Sequence, residues 1–162
     1  MRILGIDPGK STGLAVYDTD TLSFIRMDET PKGIYGFKPA FKGLYGGMHS
    51  PLGITHLACE GFTLRSSNKF TADLSGVEII GWMKGEGHWS NNNPEPIQHM
   101  TLTRLRKNVD KYQDSVITHM MQDAGFKIGE GHTRMAGSVA VWYAVKVLKH
   151  RPTLELLSGR EK

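Results

Sequence analysis

The sequence predicts an α/β domain with a central mixed sheet flanked by helices, and three observations carry that prediction. Residues 1–17, MRILGIDPGKSTGLAVY, read as two buried strands joined by a tight turn. Ile54 to Cys59 is a further apolar run of strand length, closed by Glu60. From His132 to His150, a stripe of Ala136, Val139, Ala140, Tyr143, Ala144 and Val147 recurs at helical spacing, with side chains small enough to lie close on a sheet. Strands first and strand–helix alternation afterwards is the order of a mixed-sheet α/β domain.

The elements follow in chain order. Ile3, Leu4 and Ile6 form the first strand, Pro8-Gly9 the turn, and Leu14 to Tyr17 the second strand. A third strand is expected over Thr21 to Met27. Ile34, Phe37, Phe41, Leu44, Tyr45 and Met48 then keep a helical period, although glycines 33, 36, 43, 46 and 47 each weaken a helix by up to about 1 kcal/mol relative to alanine. After the strand ending at Glu60 comes the loop Gly61 to Asn68. Phe70, Leu74, Val77 and Ile80 predict a second helix that stops near Gly85. Residues 88–96 are polar and turn-rich, and Ile97 to Thr101 has the character of a short strand. Leu102, Leu105, Val109, Tyr112, Val116 and Met120 carry a helical period as far as Gly125. The domain is expected over residues 1–150, with 151–162 a polar, mobile C-terminal tail.

Composition narrows the class. A chain of 162 residues suits one domain with a sizeable core. A net charge of +4 favours an anionic partner. The single cysteine, Cys59, forms no internal disulfide, and there is no Cys/His zinc spacing. Asp7 interrupts an N-terminal apolar run already too short for a signal peptide, and no segment has the length of a membrane span, so a cytoplasmic protein is expected. Gly9-Lys10-Ser11-Thr12 imitates the end of a phosphate-binding P-loop. That motif needs a glycine where Leu4 stands and a helix after the lysine, so no nucleotide cofactor is expected by this route.

The chemistry concentrates on two acids. Asp7 sits in an apolar strand, where a carboxylate is costly unless something pairs with it. A metal ion is one partner; amides of the Pro8-Gly9 turn are the other. Glu60 repeats the pattern after Ile54, His56, Leu57, Ala58 and Cys59, the alternative being a strand-end acid in solvent. Parallel neighbouring strands would bring both carboxylates to one sheet edge, where they suit Mg²⁺. Two metals about 4 Å apart can activate water and stabilise a leaving oxygen in phosphodiester hydrolysis.

Three blocks, RILGIDPGKSTGLAVYD, LACEGF and GHTRMAGSVAVWYAV, stand in the order and at roughly the spacing of RuvC-type Holliday junction resolvases. The chain resembles that family, in particular its short phage-encoded members, over nearly its whole length. The resemblance implies an RNase H-like fold, two Mg²⁺ ions (or Mn²⁺) in an intact site, and nicking of four-way DNA junctions by a homodimer. A phage-encoded protein would act in the cytoplasm of a bacterial host. Asp7 and Glu60 match the first two metal-binding acids, and His132 matches the first position of the third block. Met135 stands where that block requires a metal-binding aspartate, and a thioether does not replace a carboxylate for Mg²⁺. The expectation is impaired cleavage, or a catalytically inactive branched-DNA-binding protein of the same fold, unless Glu130, Asp110 or Asp114 fills in. Taken alone, His132 is also an ordinary surface residue at a helix start. An actin-like ATPase shares the Asp7-Pro8-Gly9 opening but needs two such domains.

Candidate DNA contacts follow. Gly61 to Lys69 carries Arg65 and Lys69 beside hydroxyls and an amide, groups that bind phosphate. The resemblance also implies an aromatic at the junction crossover, for which Phe62 and Phe70 are the candidates, with core packing as the alternative for both. Arg104, Arg106, Lys107 and Lys111 form the densest basic cluster, and Arg104, Lys107 and Lys111 share a helical face. Lys111 matches the family's Asp-Lys step through Asp110-Lys111, which implies a catalytic role: a lysine near the scissile phosphate stabilises developing charge. Lys10 lies close enough to Asp7 to reach phosphate.

Overall fold

The computed structural model describes residues 1–45, 51–61, 73–89, 100–103, 107–127 and 131–159; at 86–89, 100–103 and 107–114 the backbone is described. Five strands, β1 (Arg2–Asp7), β2 (Thr12–Asp18), β3 (Ser23–Thr30), β4 (His56–Glu60) and β5 (Met100–Thr103), form one sheet in the order β3-β2-β1-β4-β5. β1, β2 and β3 run antiparallel in succession, while β4 is parallel to β1 and β5 to β4. The mixed sheet expected from the sequence is therefore present.

Helices cover both faces. α1 (Ile34–Tyr45) and α2 (Ser75–Trp89) pack on one, closing a core of Leu4, Ile6, Leu14, Val16, Phe37, Phe41, Leu57, Cys59, Ile79 and Met83. α3 (Lys107–Asp123), α4 (Gly131–Trp142) and α5 (Arg151–Gly159) close the other, around Ile3, Ala15, Tyr17, Phe24, Ala58, Ile117, Met121 and the small-residue stripe of α4. The alternation of side chains along a strand explains the division. Leu4 and Ile6 face α1 and α2, so Ile3, Gly5 and Asp7 face α4. α1 forms despite Gly36, Pro39 and Gly43 because Phe37, Phe41 and Leu44 are buried along one side. Tertiary packing outweighs propensity here. No helix among the described residues is long and apolar enough to cross a membrane.

α2 runs through Gly85 to Trp89, past its expected stop, and four further boundaries differ from expectation. β3 extends to Thr30 rather than Met27, since an edge strand leaves Asp28 half-buried and Glu29 exposed; Arg26 Nε donates to Asp28 Oδ2 at 2.7 Å. Leu102 belongs to β5 and not to the following helix, because β5 stays in register with β4 as far as Glu60 and Thr103. The helix from Gly131 gives way at Tyr143–Val147 to a π-helical turn, which ends at Lys149 with a left-handed φ of +54°.

The fourth is the C-terminal segment. Residues 151–159 are not a mobile tail: they form α5, whose Thr153 and Leu157 are buried. Thr153 and Leu157 are four residues apart, one helical turn, so the segment has an apolar side that its polar composition hides. Thr153 Oγ1 lies 3.0 Å from Tyr17 Oη in the core and 2.7 Å from His150 Nδ1. Burial raises the Tyr17 phenol above its ordinary range, so it stays a neutral hydroxyl that needs this partner. Thr153→Val is expected to cost about 2 kcal/mol by leaving that hydroxyl unsatisfied. Urea denaturation checks this, and an unchanged midpoint would mean that this hydroxyl contact contributes nothing to the fold.

Candidate functional site

The site lies where β1 and β4 end. β1 pairs with β4 in parallel as far as Ile6 and Cys59, so the next residue of each strand, Asp7 and Glu60, reaches the same sheet edge. Leu57 and Cys59 belong to the α1–α2 core, which turns Ala58 and Glu60 to the opposite face, the one on which Asp7 stands. Cys59 reports this closeness: burial pushes its thiol far up, and the carboxylates of Asp7 and Glu60 add to the push.

The turn after Asp7 is held by Thr12. Its hydroxyl donates to the Gly9 carbonyl at 2.9 Å and accepts from the Gly9 amide at 3.3 Å. Asp7 itself bonds elsewhere. Its Oδ2 lies 2.8 Å from Nδ1 of His132, 125 residues away. The Asp7 side chain is 14% exposed and that of His132 45%, so the pair is anchored inside and open outside. With Nδ1 donating to the carboxylate, the outer nitrogen, Nε2, is the one left to accept a proton or meet a ligand.

Two glycines allow α4 to reach this position. A Cβ on Gly13 would overlap the His132 carbonyl and stand 2.7 Å from the Thr133 amide. One on Gly5 would overlap the Ala136 carbonyl and stand 2.9 Å from the Ala140 Cβ. Helix and strands touch backbone to backbone, and the amino end of α4 comes to rest beside Asp7. That end carries the positive pole of the helix dipole, which favours carboxylates and other anions there. Neither glycine was picked out from the sequence as part of the site. The available signal was a glycine inside each of two apolar strands, a mark of close backbone approach.

The other sequence-derived residues divide in two. Lys10 is exposed in the β1–β2 turn. Lys107 and Lys111 lie in the first two turns of α3. β5 ends at Thr103, opposite Glu60, four residues before α3 begins. Asp110 and Asp114 share that stretch of α3. Phe62, Arg65, Lys69, Phe70, Arg104, Arg106 and Glu130 lie outside the described residues. Met135 is half-buried, one turn after His132 on α4.

Among the described residues, no three His, Cys, Asp or Glu side chains form a group placed to hold a metal ion. Two adjacent carboxylates do fit one Mg²⁺, which keeps most of its water and binds through one or two carboxylates and substrate phosphate. Met135, one turn beyond His132 on α4, carries a neutral sulfur, which is a poor ligand for Mg²⁺. No protein-family model, curated protein or solved structure matches the chain.

Proposed function

We propose that this chain is an RNase H-like, RuvC-type domain that binds branched DNA, with the four-way junction as its ligand, and that it cleaves poorly because Met135 stands at a metal-binding position. The observation that carries the proposal is the arrangement of Asp7 and Glu60 at the ends of adjacent parallel strands, with His132 of α4 bonded to Asp7. The antiparallel β1–β3 unit extended by parallel β4 and β5 supports the fold assignment.

In this reading Asp7 and Glu60 hold one divalent cation, which when bound polarises a phosphate oxygen. His132 orients Asp7, and the amino end of α4 adds positive potential at the same edge. Lys10, Lys107 and Lys111 hold the DNA backbone, and Lys111 offsets charge that develops on the phosphate. A homodimer matches the two-fold symmetry of a junction with two equivalent cut sites. The protein acts in the cytoplasm. Met135 favours a second reading, a junction-binding protein without cleavage.

The test compares binding of a labelled four-way junction with binding of a linear duplex of the same sequences, and follows nicking in Mg²⁺ and Mn²⁺. Preference for the junction by about tenfold or more, or about 1.4 kcal/mol, is expected, with little or no nicking. Equal affinity for both DNAs would overturn the proposal. Robust Mg²⁺-dependent nicking would keep the DNA substrate and overturn the role given to Met135.

A further inference from the structure

The turn between β3 and α1 is held from three sides. Lys32 and Gly33 are consecutive residues with left-handed φ values of +72° and +56°. That conformation suits glycine and works against the Cβ of a lysine. Gly36 is pressed against the Pro31 carbonyl, which any Cβ there would overlap. The Gly33 amide donates to the Lys10 carbonyl at 2.8 Å, which fastens the turn to the loop leaving Asp7.

This rigid turn holds two side chains out into solvent, Lys32 and Tyr35. Tyr35 is 84% exposed, whereas Phe37, Phe41 and Tyr45 of the same helix, with Trp82 of α2, stack on one another. From Pro31 to Tyr45 there are three lysines and no acid. The flanking acids are Glu29 at the end of β3 and Asp73, which accepts the Ser75 amide at 3.0 Å and feels the charge of Lys10. Beside Tyr35 in the chain Pro31, Lys32 and Pro39 are exposed, and Leu74 and Val77 are exposed at the start of α2, whose Ser75 lies against Gly33. An exposed aromatic ring on a fixed backbone beside a lysine is one device that holds single-stranded nucleic acid: a base stacks on the ring while lysines hold the neighbouring phosphates.

We propose that Tyr35 is a stacking platform for an unpaired base of DNA, with Lys32 and Lys10 binding the phosphates beside it. This rests on the DNA-binding function proposed above and adds that the ligand presents an unstacked nucleotide next to the Asp7–Glu60 edge.

The test uses fluorescence anisotropy with three labelled probes: an oligothymidine, a four-way junction and a linear duplex. The proteins are the native chain, Tyr35→Ala, Tyr35→Phe and Lys32→Gly. Tyr35→Ala is expected to weaken oligothymidine binding about 5- to 150-fold, the range for one stacked base, and to leave duplex binding unchanged. Tyr35→Phe keeps the ring and should bind as the native chain does. Lys32→Gly keeps the left-handed turn and removes one charge, so the slope of log affinity against log salt should fall by about 0.7 for the single strand. If the native chain binds DNA and Tyr35→Ala binds equally well, the platform is refuted while the proposed function stands. If the native chain binds none of the probes, both fall. A Tyr35→Ala chain that binds DNA normally but sediments differently from the native one would assign Tyr35 to a contact between copies and overturn the platform.

Discussion

Met135→Asp is expected to raise Mg²⁺-dependent nicking of a four-way junction by about a hundredfold or more. Changes to residues that only support metal ligands reach 10–100-fold, and a ligand itself should exceed them. Residues 132 and 135 are three apart on α4 and share a helical face, so a carboxylate at 135 would join the edge that holds Asp7 and Glu60. A second consequence separates this role from a packing effect. Without metal, three carboxylates crowd together, and the variant should be less stable than the native chain. Divalent cation should then raise its melting temperature more than that of the native chain, since the ion binds the folded state alone. Nicking by the native chain at the rate of the variant would remove position 135 from the metal site. So would equal melting shifts for the two proteins in Mg²⁺.

Gly13→Ala is expected to cost about 3 kcal/mol or to separate His132 from Asp7. The added methyl meets backbone, the His132 carbonyl and the Thr133 amide, and not the yielding end of a side chain. Overpacking in a tight core costs about 1–3 kcal/mol, and backbone on both sides puts this position at the upper end. β2 cannot retreat, because it is paired on both edges and buried along its whole length. Relief therefore comes from α4, whose first turn would lift off the sheet and carry the imidazole away from the carboxylate. Urea denaturation gives the stability change, and the NMR signals of the His132 ring report the lost Asp7 partner. A variant with the native midpoint and native His132 signals would show that the contact is slack.

These two positions mark how much of the site was legible in the sequence. Asp7 and Glu60 stood out because an acid in an apolar strand is expensive, and the parallel pairing of β1 with β4 then joined them as expected. His132 was found through the third block of the resemblance, and its bond to Asp7 crosses 125 residues, a distance that local pattern does not encode. Gly13 and Gly5 gave only a weak signal, because their role depends on what α4 brings against them. In the fold, the strong periodicities succeeded and the composition argument failed. Of the expected stripe, Ala136 to Ala144 are buried while Val147, in the π-helical turn, is exposed, and a polar average over 151–162 concealed Thr153 and Leu157 on one side of a short helix. The β4–β5 register took Leu102 out of the helical pattern it seemed to open, because strand pairing is a long-range choice.

The division of the core between the two faces has a consequence for synthesis on the ribosome. Among the described residues, the core under α1 and α2 draws on Leu4 to Met83, so the first half of the chain supplies it. The opposite core waits for α3, α4 and α5, and until they emerge the glycine-bearing face of β1 and β2 stays uncovered. Asp7 is among the first residues made and among the last to be paired. At about 5–20 residues per second, the 125 residues that separate it from His132 take about 6–25 s to translate. Between Met83 and His132 the nascent chain carries one layer and one bare apolar sheet face. The order of synthesis makes the Asp7–His132 pair a late event, followed by the docking of α5, so a chain stalled before His132 lacks the completed site.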